Sequence, residues 1–312
     1  MKYSYLFGPV PSRRLGISLG VDLVPFKTCT LDCIYCECGE TTLLSNERKE
    51  YVPATAVIKE LEGYLQGLPD LDYITFSGSG EPTLNSGIGD IADYIKTAYP
   101  QYKLCLLTNG TLFTEKEVRE SVKQIDMIIP SLDAASEACF KAINRPYKNI
   151  HCGEVISGLI ELRKDYRGTM MIEIFIVPGL NDNEDELRLI KNALADVNPD
   201  RVQIGTLDRP GTETWVEAAD DVKLQEIANY LGQAELIGEF MERDKIASFN
   251  SSLFEQIVET ISRRPCTVKD LIQVTGRHQA EIEKYIQNLL SKNIIEVDRL
   301  ARGTFFKIKK KS

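Results

Sequence analysis

Histidine is scarce in this 312-residue sequence, with only His151 and His278, and neither has a second ligand or a base partner at short spacing. Each reads as a surface or capping residue. No stretch approaches the roughly 18 consecutive apolar residues of a membrane span. Met1 to Leu6 lacks the basic segment and apolar core of a secretory leader. A cytoplasmic protein with no membrane partner is expected. There is no internal repeat and no low-complexity tract apart from Lys309-Lys310-Lys311. Disorder is also disfavoured, because 43% hydrophobic against 27% charged residues is ordinary for a globular chain.

What is present in unusual density is cysteine, eight in all, four of them between residues 29 and 38. Cytosolic thiols stay reduced, so clustered ones bind metal or react more often than they pair. Cys29, Cys33 and Cys36 stand with three and two residues between them, a spacing that lets one compact turn aim three thiolates at an iron-sulfur cluster. A structural zinc would usually take four ligands in paired spacings. Cys38 stays open, either an incidental thiol or a substrate-linked or auxiliary ligand. Cys105, in an apolar run, reads as a buried small hydrophobe. Cys139, Cys152 and Cys266 have no companion spacing and read the same way.

Short apolar runs at Ile17 to Val24, Tyr73 to Phe76, Lys103 to Leu107, Met127 to Ser131, Met170 to Val177 and Val202 to Leu207 read as buried parallel strands. Between them, helices are expected over Ala54 to Leu65, Ile88 to Ala98, Glu115 to Val122, Ile150 to Lys164 and Glu184 to Ala195, with another over Val222 to Leu231. Such alternation specifies an α/β chain with right-handed crossovers, here a partial (β/α)6 TIM-like barrel whose site lies in the loops after the strands. The expected domains are 1–231 for the barrel with an N-terminal arm, 232–250 for a linker and 251–312 for a small C-terminal domain. In that last domain, helices at Leu253 to Ile261, Val268 to Val274 and Gln279 to Leu290 precede strands at Ile294 to Val297 and Thr304 to Ile308. This is the order of a winged helix-turn-helix. From Phe249 to Ser312 there are 12 Lys/Arg against 7 Asp/Glu, whereas the remainder has 25 against 39. A basic appendage on an acidic body suggests a polyanionic partner.

The sequence resembles the radical S-adenosylmethionine (radical SAM) superfamily. Cys29, Cys33 and Cys36, with Tyr35 before the last, match its CxxxCxxC motif. Ser77-Gly78-Ser79-Gly80-Glu81 matches its glycine-rich GGE segment, with Ser79 in place of the first glycine. The resemblance implies a 4Fe-4S cluster on the three cysteines and S-adenosylmethionine (SAM) on the open iron. It also implies one-electron cleavage to methionine and a 5'-deoxyadenosyl radical, hydrogen abstraction from a substrate, and a reductant such as ferredoxin or flavodoxin. Cofactor contacts implied are Tyr35, Gly78, Ser79, Gly80, Glu81, Asn109, Ser131 and Asp133, and the strand around Glu173 to Val177. No catalytic side chain is singled out.

The run Phe7 to Gly16 (FGPVPSRRLG) and Asp208-Arg209-Pro210-Gly211 look like the tRNA wyosine-base (4-demethylwyosine) synthase group. The archaeal synthases carry extra upstream cysteines, and residues 1–28 here have none, so the chain reads as a short relative of that group. Ser12, Arg13 and Arg14 suit either an anion site or an arm packed under the barrel. For the C-terminal domain, Arg277, His278, Gln279 and Lys284 with Arg299 and Arg302 suit RNA or DNA contacts, whereas Glu281 and Glu283 oppose them. A macromolecular, RNA-type substrate is expected. A peptide or protein substrate or partner, or an iron-sulfur redox-sensing DNA-binding regulator, is the alternative.

Overall fold

The computed structural model describes residues 3–232, 234–237 and 253–309. The chain opens with a hairpin, β1 (Leu6–Ser12) antiparallel to β2 (Gly16–Val21). The loop after β2 holds a small parallel pair, β3 (Thr28–Cys29) with β4 (Leu43–Leu44). The five strands that follow are β5 (Tyr73–Phe76), β6 (Lys103–Thr108), β7 (Met127–Pro130), β8 (Thr169–Phe175) and β9 (Arg201–Gly205); the short β10 (Glu235–Leu236) comes last. One eight-stranded sheet runs β1-β2-β5-β6-β7-β8-β9-β10, parallel throughout except for β1. The six expected strands are all there, flanked by β1 and β10. The expected N-terminal arm is thus an edge strand of the sheet.

Crossovers are made by α1 (Ala54–Leu65), α2 (Ile88–Ala98), α3 (Lys116–Ser121), α4 (Glu137–Asn144), α5 (Cys152–Asp165), α6 (Glu184–Val197) and α7 (Asp221–Tyr230). The side chains of Ser136, Asn183 and Asp220 cap the N-termini of α4, α6 and α7. Alternation along the strands separates two faces. Leu19, Val21, Ile74, Phe76, Leu104, Leu106, Ile128, Met170, Ile172 and Ile174 enter the core shared with the helices. Burying each such side chain contributes about 1.5–3 kcal/mol over leaving it in water. The other face carries Ser18, Gly20, Thr75, Leu107 and Glu173, and its own small apolar cluster is Leu15, Cys105, Ile129 and Met171. Only the inner face therefore has polar groups to offer a ligand.

At the C-terminus α8 (Leu253–Arg263), α9 (Val268–Thr275) and α10 (Gln279–Ser291) precede the hairpin β11 (Ile295–Leu300) and β12 (Gly303–Ile308), the expected element order. This unit has a separate core around Ile257, Leu271, Ile282, Leu289 and Phe306. A capping box on Thr267 and Asp270 starts α9, and left-handed Gly276 ends it. Most of the expected linker and the last three residues lie outside the described residues.

Candidate metal centre and cofactor loop

The loop after β2 is held from below by α4. Ile34 N donates to Ile143 O (2.9 Å) and Asp32 N to Asn144 O (3.0 Å), while buried Leu31 and Ile34 join a cluster with Phe140 and Ile143. Each of the three motif thiols thereby meets a nitrogen donor. Asn109 Nδ2 lies 3.5 Å from Cys29 Sγ, Asn144 Nδ2 lies 3.4 Å from Cys33 Sγ, and Lys27 Nζ lies 3.0 Å from Cys36 Sγ. Burial pushes the Cys29 thiol up to about 12 and Cys33 up as well. Cys36 goes the other way, to about 6, through a hydrogen bond from Cys38 and then the Lys27 ammonium.

Among the described residues no group of three or more His, Cys, Asp or Glu is drawn together as a single metal ion requires. A four-iron cluster is bulkier than an ion and takes its thiolates from farther apart, and N–H donors around its sulfurs tune such a cluster. The donor set fits. Asn144 Oδ1 is in addition a buried acceptor with no hydrogen-bond partner among the described residues.

Above β5, Gly78 and Gly80 are dictated by packing. A Cβ on Gly78, whose φ is +133°, would lie 1.8 Å from Asp22 Oδ1, and one on Gly80 would lie 2.1 Å from Thr28 O. The glycines thus seat the loop against the end of β2 and the cysteine loop, where the motif had suggested approach to the cofactor. Glu81 is buried and fully engaged, accepting from Thr83 N, Thr83 Oγ1, Thr108 Oγ1 and Asn109 N at 2.6–3.1 Å. Burial raises its pKa while those donors pull it down. It ties the glycine loop to the end of β6.

The structure divides the remaining expected residues between two cavities. Gly78 and Ser79, with Cys38, line a chamber of about 260 Å³ on the inner face. Asn109, Ser131 and Asp133, joined by Asn144, surround a cavity of about 10 Å³, room for one water. Tyr35 stacks on Phe175 with ring centroids 3.8 Å apart and donates to Asp133 Oδ2 at 2.5 Å. Asp133 also accepts from Phe175 N and Asn144 Nδ2. Lys27 and Asn144 carried no signal in the sequence beyond Lys27 standing two residues before Cys29. Cys105, Cys139, Cys152 and Cys266 are buried as expected; His151 pairs with Glu137, and His151 and His278 occupy helix N-cap positions.

A model of the Radical SAM superfamily matches residues 23–190, spanning both the cysteine loop and the glycine loop. The chain belongs to the radical SAM superfamily. It is 28% identical over 299 residues to a UPF0026 protein of Methanocaldococcus jannaschii, covering 94% of this chain and 88% of that one. It is 32% identical over 294 residues to a Brachyspira hyodysenteriae protein named GTPase Obg, covering 93% of this chain but only 43% of that longer protein. Among solved structures it resembles a radical SAM methyltransferase from Sphaerobacter thermophilus, with a TM-score of 0.52 at 14% identity, over 70% of this chain and 64% of that one. At that identity the likeness speaks to the fold. Radical SAM proteins are enzymes that work with a 4Fe-4S cluster and SAM, and this chain is such an enzyme. No described helix is long and apolar enough to cross a membrane.

The radical SAM site carries one titration with a sign that can be checked. Burial pushes the Asp133 carboxyl up to about 6 from its ordinary 3.8, against three hydrogen bonds that favour the anion. The folded chain therefore holds this proton more tightly than the unfolded chain. Stability from this group is complete below about 3.8 and is lost as pH rises through about 6, a fall of roughly 2–3 kcal/mol. Thermal melts of the cofactor-free chain across that window should show the fall, and Asp133→Asn should flatten it.

Proposed function

We propose that this enzyme cleaves SAM at a 4Fe-4S cluster held by Cys29, Cys33 and Cys36 and takes a hydrogen atom from a substrate in the inner-face chamber. The observation that carries this is the set of three half-buried motif thiols, each beside an N–H donor, next to a glycine loop that opens on that chamber. When bound and reduced, the cluster supplies the electron that splits the sulfonium. A ferredoxin or flavodoxin is the proposed reductant. Lys27, Asn109 and Asn144 offset the negative charge of the thiolates. Glu81 fixes the glycine loop, and Asp133 with Tyr35 and Phe175 walls the cofactor from solvent. Ser131 and Asn144 Oδ1 offer hydrogen bonds to its polar groups.

The substrate is read as RNA-type, the chain being a short relative of the wyosine-base synthases and residues 251–312 a winged helix. Exposed Arg277, His278, Lys284 and Arg299 support that reading. Arg302 does not, because its guanidinium is committed to Asp208 and Asp270 of the same chain. Reconstituted, dithionite-reduced protein should convert SAM to 5'-deoxyadenosine; absence of cleavage with an intact cluster, with candidate substrates present, would leave the redox-regulator alternative. Sequencing of RNA retained by the affinity-purified chain tests the substrate class, and retention of peptide instead would redirect it.

A further inference from the structure

The chamber is a composite of three parts of the chain. Its floor is the inner face of the sheet at Ser18, Thr75 and Leu107, and one wall is the β1–β2 hairpin. The opposite wall is α8 of the C-terminal unit, contributing Gln256, Glu259, Thr260 and Arg263, with Arg264 just beyond its end. The glycine loop opens into the same space through Ser77, Gly78 and Ser79. Whatever occupies it lies beside the proposed cofactor site and against the C-terminal unit at once.

Its charged lining is four arginines against one carboxylate, Glu259. Three of the arginines are already engaged. Arg13 lies 3.3 Å from Asp208, Arg14 donates to Glu173 at 2.9 Å, and Arg263 pairs with Asp22 while its guanidinium lies over the Phe7 ring, 4.0 Å from the centroid. Arg264 differs. It is half-buried, and among the described residues its guanidinium has neither a carboxylate partner nor a hydrogen-bond acceptor. Arg263 Nε beside it is a buried donor likewise without an acceptor. The buried Arg263 Nε without an acceptor is costly, and the half-buried Arg264 fork next to it, open to the chamber, is the group an oxyanion satisfies with bidentate geometry.

We infer that the substrate carries a phosphate or carboxylate that docks on Arg264, so that α8 is a wall of the substrate site. This rests on the reading of the chain as a SAM-cleaving enzyme and adds to it the chemical class of the substrate. Arg264 is a specificity-determining residue, placing the oxyanion at the C-terminal side of the chamber and the rest of the substrate toward Ser77 to Ser79. Phe7, Val10, Leu15 and Leu107 make the intervening lining apolar.

The test uses the full, cluster-loaded chain with inorganic phosphate and, separately, acetate as probes. Phenylglyoxal footprinting, read by mass spectrometry on the peptide spanning residues 263 and 264, should show Arg264 protected by phosphate if the source is a phosphoryl group, or by acetate if it is a carboxylate. Calorimetry should show the protecting anion bound roughly tenfold more weakly by Arg264→Gln, with Arg264→Lys between the two. Equal modification of Arg264 with and without both anions overturns the inference, and so does unchanged binding by a folded Arg264→Gln. If that variant fails to fold by circular dichroism, the footprint on the unaltered chain decides. SAM cleavage by the same unaltered preparation is measured apart from these. Cleavage without anion protection removes only the docking site, and anion protection without cleavage removes only the underlying enzymatic reading.

Discussion

Replacing Cys33 with alanine should strip the reconstituted protein of its iron-sulfur absorbance and lower 5'-deoxyadenosine formation by roughly 10²-fold or more. Three cysteines are the minimum that holds a four-iron cluster while leaving one iron for the cofactor, so no ligand is redundant. Cys38 hydrogen-bonds to Cys36 and lines the chamber, so the Cys33→Ala measurement also reads whether it can stand in. Cys33 instead sits against Asn144 and the end of α4, and its loss leaves the Asn144 amide with Asp133 alone. Iron and sulfide analysis with the electron paramagnetic signal of the reduced cluster reads the outcome directly. A Cys33→Ala protein that keeps a four-iron cluster and still cleaves SAM would falsify the ligand assignment.

The second large effect is expected far from the cysteines in sequence. Arg209 is only 1% exposed, and its Nη1 donates to Pro265 O (2.9 Å) and Asp270 Oδ2 (2.7 Å). Its Nε lies 3.5 Å from Glu37 Oε2, in the cysteine loop, with no hydrogen-bond acceptor of its own. Asp270 is shared with Arg302, and Arg302 with Asp208. One buried guanidinium thus joins the cysteine loop, the segment after β9 and the C-terminal unit. Removing Arg209 takes one of two guanidinium partners from buried Asp270, which keeps Arg302, and removes the donor to Pro265 O; breaking a buried pair from one side costs up to roughly 3–5 kcal/mol. For a chain of this size Arg209→Ala should lower the melting midpoint by up to roughly 5–8 °C. Arg209→Lys should recover little, because a single ammonium cannot span Asp270 and Pro265 O together. A midpoint within experimental scatter of the parent would show that the ion pairs contribute nothing net. The same variant should lose iron faster under chelation, since Glu37 lies between Cys36 and Cys38.

The features legible in the sequence were those with local causes. Tyr73–Phe76, Ala54–Leu65 and Ile88–Ala98 appear with the expected boundaries because their apolar spacing and end residues agree. β1 was hidden by Pro9 and Pro11, which argue against a strand; it survives as an antiparallel edge with an irregular register between Phe7 and Val10. β10 has two residues and no pattern to read. The eight-residue α4 was missed although Ser136 caps it, and with it went Asn144. Lys27 sits at a left-handed φ of 56° that only the surrounding loop explains. The intramolecular engagement of Arg302, expected to suit a nucleic-acid contact, was hidden for the same kind of reason. Asp208 and Asp270 are brought to it by tertiary structure, and no spacing in the chain announces them.

The strand order has a bearing on how the enzyme is made. Each strand of the sheet pairs with its neighbour in sequence apart from the small β3–β4 excursion, so the sheet can grow as the chain leaves the ribosome. The cysteine loop emerges early, whereas Arg209, α8 and Asp270, which cover it, follow some 170 to 230 residues later. At ordinary elongation speeds of about 5–20 residues per second, that interval is roughly 10–50 s. During that interval Arg209 and Asp270, whose ion pairs tie the cysteine loop to the C-terminal unit, are still to be made.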